Sequence, residues 1–152
     1  MDPLLEELLP HRLPMILVDG IVSYDLEKKK IITSVTISDQ SLFYDAVNSG
    51  VPAWVGIEYM AQTAGTFSGL YQRHTGKRQI QVGFLLGTRK YESRLDFFRS
   101  GETYVIHAEN LFATEEAGNF DCGIYDSAER LCAAAKLNVF MPENPQRFFE
   151  KE

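Results

Sequence analysis

One carboxylate of this chain stands where carboxylates are costly. Residues 51–70 form an apolar stretch rich in small residues, and Glu58 and Gln62 lie near its middle. A carboxyl group flanked by Ile57 and Tyr59 on an otherwise buried helix is desolvated, and desolvated carboxylates are candidates for acid–base work. The plainer alternative is an ion pair between Glu58 and an arginine of a neighbouring subunit. The three histidines, His11, His74 and His107, offer less. His11 is bracketed by Pro10 and Pro14. His74 falls near the end of the predicted helix, roughly four turns from Glu58. His107 sits in mid-strand on a sheet face. Cys122 and Cys132 have no metal-ligand spacing and read as a buried, reduced pair. Glycine-rich phosphate loops and His-Glu-x-x-His are absent, so neither cofactor nor metal is expected.

With 152 residues the chain is expected to form one domain over 1–152. Its 45% hydrophobic and 24% charged residues suit a soluble globular core. The net charge of −6 argues against a nucleic-acid partner. Residues 1–7 are acidic and no long apolar run follows, so a secretory signal is not expected. Residues 51–70 are not read as a membrane span. Glu58 and Gln62 are expensive at that depth in lipid, and Gly56, Gly65 and Gly69 interrupt the run. These features together predict a cytoplasmic protein without membrane contact.

The chemistry-bearing stretch needs a frame. Residues 1–9 predict a short amphipathic helix, with Leu4, Leu5, Leu8 and Leu9 on one side. Residues 15–24 and 31–37 predict two strands in a hairpin around a charged turn. Residues 39–51 read as a loop. Pro52 then stands at a helix start, and the helix is expected to run to about Arg73, with Gly76 as its stop. Residues 80–91, 103–114, 119–126 and 130–140 predict four strands, and 142–152 a loose tail. No repeat is visible. The predicted class is therefore α+β: one curved antiparallel sheet wrapped around a single apolar helix, the hotdog arrangement. Ala61, Ala64, Gly65 and Gly69 are expected to let the sheet approach the helix closely.

Three stretches sharpen this: Leu-Leu-Pro-His-Arg-Leu-Pro-Met-Ile-Leu-Val-Asp at 8–19, Pro-Ala-Trp-Val-Gly-Ile-Glu-Tyr-Met-Ala-Gln at 52–62, and the Phe-Phe-Arg-Ser-Gly-Glu turn at 97–102. Together they resemble the bacterial 3-hydroxyacyl-acyl carrier protein dehydratases, most closely the dehydratase-like branch of aryl-polyene and related pathways. The resemblance implies a hotdog dimer that removes water from a 3-hydroxyacyl thioester. In that family a histidine takes the C2 proton, and a helix carboxylate from the other protomer handles the leaving hydroxyl. A backbone N–H at the helix start holds the thioester oxygen.

Glu58 falls on the family carboxylate, Gln62 on the family glutamine and Pro52 on the family proline, and Ala53, Trp54 and Gln62 are the expected substrate-binding residues. Ala53 replaces the following glycine, keeping an N–H but leaving less room beside the acyl chain. The departure is at the base. Counting back fourteen residues from Glu58 reaches Tyr44, and the loop reads Phe-Tyr-Asp-Ala-Val-Asn where the family has His-Phe-Pro. A tyrosine is a poor base at neutral pH unless its pKa is strongly shifted, so Tyr44 is a catalytic candidate on that condition and is otherwise expected to line the acyl tunnel or donate a hydrogen bond. Asp45 would serve as base only if burial raised its pKa. Trp54 is expected in core or dimer-interface packing, with a tunnel-wall role as the functional alternative.

Three readings follow: a dehydratase with an altered base, a non-catalytic homologue that pairs with an active paralogue, and a hotdog thioesterase. The expected partners are an acyl carrier protein-bound thioester and a second hotdog chain, identical or paralogous. Lys77-Arg78 and Arg89-Lys90, with Arg94 and Arg99, make the second half locally basic, which suits an acidic carrier.

Overall fold

The computed structural model of the chain describes residues 2–9, 15–76, 84–113 and 117–140. The predicted tail at 142–152 and the Pro-His-Arg motif with His11 lie outside the described residues.

Among the described residues, eight strands, β1 (Gly20–Asp25), β2 (Lys30–Thr36), β3 (Gly50–Pro52), β4 (Phe84–Ser93), β5 (Phe97–Arg99), β6 (Thr103–Ala113), β7 (Ala117–Tyr125) and β8 (Leu131–Phe140), accompany helices α1 (Leu4–Leu8) and α2 (Gly56–His74). Six strands form one antiparallel sheet in the order β1-β2-β6-β7-β8-β4, and β3 pairs with β5 in a small second sheet. The predicted hotdog arrangement is present. The inward-facing residues of the sheet, among them Val35, Ile106, Phe120, Ile124 and Leu137, are buried together with Tyr59, Met60, Ala64 and Phe67 of α2. Alternation supplies the inner face of each strand, and the helix fills the concavity that this face would otherwise leave to water.

Four details depart from the sequence expectations. Residues 15–19 are not strand, and β1 begins at Gly20. The reason is a side chain: Gln62 takes the backbone groups of Met15 and Leu17 that a neighbouring strand would use. The predicted loop 39–51 ends in β3, and the 97–99 part of the predicted turn is β5, its partner. Pro52 closes β3 instead of opening the helix. A 3-10 turn over Ala53–Val55 follows it, and α2 proper starts at Gly56. Finally, two of the small residues on α2 meet α1, not the sheet. A Cβ on Gly69 would lie 2.7 Å from the carbonyl oxygen of Leu8, and one on Gly65 3.1 Å from Leu9 Cδ2. These glycines let α1 lie against α2.

Candidate active site

The start of α2 is locked into the fold by both backbone groups of one residue. The β3–β5 ladder continues for one more bond, in which the Ala53 N–H donates to the Asp96 carbonyl at 2.9 Å. The Ala53 carbonyl accepts the Tyr91 hydroxyl at 2.5 Å. Tyr91 comes from β4, where a bulge between Arg89 and Glu92 accompanies Lys90 at φ 54°. A bulge adds a residue and re-aims the side chain that follows, and Tyr91 packs against the core. Burial pushes its hydroxyl up to about 12, so it remains a proton donor at neutral pH. Gly56 completes the joint: a Cβ there would lie 2.3 Å from the Tyr91 hydroxyl and 3.0 Å from Phe98 Cζ.

One turn further, Glu58 and Gln62 share a helix face by their spacing of four. Gln62 is fully buried. Its amide NH2 donates to the Met15 carbonyl at 2.7 Å and to Glu58 Oε1 at 3.1 Å, while its Oε1 accepts the Leu17 N–H at 2.8 Å. One amide therefore ties α2 to the chain entering β1 and orients the half-buried Glu58 carboxylate. The Gln62 amide thus fixes the orientation of the Glu58 carboxyl on the helix face, as an acid–base group needs.

The remaining predicted residues are placed differently. Ala53 was expected to offer its N–H to a thioester oxygen. That N–H is already donated to Asp96, so the expectation is corrected, and Trp54 carries the next N–H of the turn. Gln62 was expected to bind substrate. With no exposed surface and both amide hydrogens committed, it positions Glu58 and Leu17 instead. Asp45 was expected to become a base if burial raised its pKa. The opposite holds: its Oδ2 accepts the Asn48 side-chain amide at 3.0 Å, and Oδ1 accepts the N–H groups of Asn48 and Val47 at 3.2 and 2.9 Å. These bonds, the Asn48 side chain first, hold its carboxyl below the usual carboxylate range. Asp45 is the cap of its own turn.

Tyr44 is half-buried, donates its N–H to the Ser41 carbonyl at 3.0 Å, and makes no side-chain hydrogen bond among the described residues. Trp54 is not core: it is 60% exposed, and its ring meets Phe43 edge-on at 5.3 Å. Phe43, at φ 70°, was not singled out from the sequence, nor was Tyr91. Their roles depend on a left-handed backbone residue and a bulge, neither of which side-chain patterning reveals. His74 ends α2, and His107 packs on Tyr125 at 4.7 Å with its pKa lowered by burial and by Lys30. Both free cysteines are buried, and burial pushes the Cys122 thiol up to about 12. Among the described residues no group of His, Cys, Asp and Glu could hold a metal ion, and no helix is long and apolar enough to cross a membrane.

Comparison with known proteins places this geometry. A dehydratase heterocomplex, ApeI:P from Xenorhabdus doucetiae, superposes with a TM-score of 0.87 at 24% identity, covering 96% of this chain and 95% of the compared chain. A hypothetical thioesterase protein from Streptococcus pneumoniae, solved with coenzyme A, gives 0.62 at 10% identity over 81% of this chain and 84% of its own. The 3-hydroxyacyl-[acyl-carrier-protein] dehydratase FabZ of Chlamydia caviae is 32% identical over 114 residues, 73% of this chain and 72% of that protein. The bifunctional enzyme LpxC/FabZ of Chlorobaculum tepidum is 32% identical over 143 residues, 90% of this chain but 29% of that longer protein. Residues 3–150 match the ApeP-like family, described as ApeP dehydratase. The chain belongs to the ApeP-like family of hotdog-fold dehydratases.

Proposed function

We propose that this chain contributes Glu58 to the dehydration of a 3-hydroxyacyl thioester, and that the base facing Glu58 is a histidine of a second hotdog chain. The observation that carries the reading is the hydrogen bond from the fully buried Gln62 amide to Glu58 Oε1, one turn along the same helix. Glu58 is oriented by a buried amide, whereas Asp45 has both oxygens committed to its own turn and is held deprotonated. Tyr44 occupies the loop position where the family carries histidine. In the reaction the base removes the C2 proton, the C2–C3 double bond forms, and the C3–O bond breaks. Glu58 in its acid form protonates the departing hydroxyl, which leaves as water. The base then returns its proton to Glu58. The thioester oxygen, on which enolate charge develops, meets the N–H at the α2 start beyond Ala53.

Two surface features support a partner. Trp54, Phe43 and Val47 expose apolar side chains around the α2 start, at 60%, 43% and 92%. A second chain covering them would exclude water from the Glu58 side. The name of the Xenorhabdus doucetiae structure describes a heterocomplex, which supports a paralogous second chain over an identical one. For the acyl carrier, Arg94 and Arg99 line two adjoining clefts of about 540 and 390 Å³, and neither forms an ion pair among the described residues. Two unpaired guanidinium groups suit an acidic carrier protein. A cytoplasmic location fits the two free, buried thiols.

The test uses the purified chain alone and mixed with a histidine-bearing hotdog dehydratase, assayed on a 3-hydroxyacyl-carrier protein. The expected result is little activity alone, a stable mixed dimer, and loss of the sites that depend on Glu58 when this chain carries Glu58→Gln. Full activity of the chain alone would overturn the need for a partner's histidine. An unchanged rate in the Glu58→Gln complex would remove Glu58 from the chemistry.

A further inference from the structure

A cleft that is lined by Tyr59 and not by Glu58 lies beside α2. Residues 16, 17 and 19, the end of β2 and the turn 38–42 enclose a cleft of about 350 Å³. That volume is within the range of small-molecule sites, roughly 300–1,000 Å³. Tyr59 lines it and is only 2% exposed. Its hydroxyl has no hydrogen-bond partner among the described residues. Native proteins rarely leave a buried hydroxyl unpaired, and each exception calls for a reason.

The other polar groups of the cleft show what is missing. Ser38 Oγ accepts the Gln40 N–H at 3.1 Å, and Ser41 Oγ accepts the Ser38 N–H at 2.9 Å. Each seryl hydroxyl thus uses an acceptor site on the backbone, and its own O–H has no acceptor among the described residues. With Tyr59, three donors line the cleft. Asp19 lines it as well, and its Oδ2 accepts the Thr36 N–H at 2.7 Å. A carboxylate there disfavours an anion. Burial first, and Asp19 second, raise the Tyr59 pKa, so the phenol stays protonated and can only be used as a donor or a neutral acceptor. Ile16, Leu17 and Leu42 supply apolar walls.

We propose that this cleft binds a neutral oxygen acceptor, a ketone or alcohol, carried on a small apolar body, with Tyr59 as the hydrogen-bond donor. The oxygen can belong to a free small molecule or to the far end of a bound acyl chain. The cleft does not depend on the role of Glu58.

The probe is hexan-2-one, titrated into the full chain while the tyrosine ring signals are followed by NMR. Saturable binding at Tyr59 is expected, and hexanoate, of similar size but charged, should not bind saturably. Tyr59→Phe should weaken hexan-2-one three- to tenfold, the loss of roughly one neutral hydrogen bond. Its melting temperature should be unchanged or higher, because the hydroxyl it removes has no partner among the described residues. Equal affinity in Tyr59→Phe, no saturable binding of the ketone, or hexanoate binding as tightly as the ketone would each overturn the proposal. So would a clear loss of melting temperature in Tyr59→Phe, which would show that the hydroxyl already has a structural partner. The two sources are separated with Glu58→Gln protein and coenzyme A thioesters of octanoate with and without a keto group at C7. Tighter binding of the keto thioester, lost in a protein also carrying Tyr59→Phe, identifies the chain end. Equal binding of the two thioesters identifies a free small ligand.

Discussion

Glu58 and Asp45 are both half-buried carboxylates on the same chain, yet the fold prepares them for opposite tasks. Glu58 rises from a helix whose neighbours are apolar, and the amide that orients it belongs to a fully buried side chain. Asp45 sits in a loop and closes it: two backbone N–H groups and one side-chain amide converge on its oxygens. Hydrogen bonds donated to a carboxylate favour its charged form. A carboxylate serving as a turn cap is thus a weaker base than a free one. The difference teaches that the residue type and position of a candidate base say little until the donors around it are known.

The comparison breaks first at Glu58. Glu58→Gln should lower turnover of the mixed complex at least about a hundredfold, the low end for removing a general acid or base. Circular dichroism should show the fold intact, since the Gln62 amide can still donate to the new side-chain carbonyl. Next is the amide itself. Gln62→Leu leaves the Leu17 N–H and the Met15 carbonyl without their partner, and this should cost about 2–4 kcal/mol in urea denaturation. Activity should fall as well, through a Glu58 no longer held in place, and the fall should appear in kcat more than in KM.

The joint beneath the site comes third. Gly56→Ala pushes a Cβ against the Tyr91 hydroxyl and the Phe98 ring, at a cost of about 1–3 kcal/mol. Combining it with Tyr91→Phe should recover part of that loss, and thermal unfolding of the three variants measures the recovery. The smallest effect is expected at Asp45. Asp45→Asn retains an oxygen for the Val47 and Asn48 N–H groups, so turnover should stay within about twofold of the parent, far from the effect of losing a base. The pH dependence gives the sign. A carboxyl whose folded pKa is depressed contributes stability above its unfolded value, near 4, and loses it as pH falls through the lower folded value. Unfolding scans between pH 5 and 2 should therefore show a small acid-side loss in the parent that Asp45→Asn lacks.

Much of the frame is legible in the residues because it rests on periodicity. Alternating apolar positions specify the inner face of β2, β6, β7 and β8, and the apolar, small-residue-rich α2 requires cover on most sides. The order of these elements leaves one curved sheet around one helix as the economical solution. Glu58 stands out on the same grounds, since a carboxylate in such a run is conspicuous by its type alone.

Long-range packing settles which groups are already taken. The Ala53 N–H and carbonyl are consumed by Asp96 and Tyr91, contacts made across 43 and 38 residues of sequence. Gln62 satisfies backbone 45 and 47 residues away, which turns a predicted substrate ligand into a positioning residue and keeps residues 15–19 out of the sheet. The Tyr59 hydroxyl, by contrast, has no hydrogen-bond partner among the described residues, in a cleft built from four separate segments. Residue type and spacing determine which donors and acceptors this chain carries. Whether each is spent or still available depends on partners that only the long-range packing brings within 3 Å.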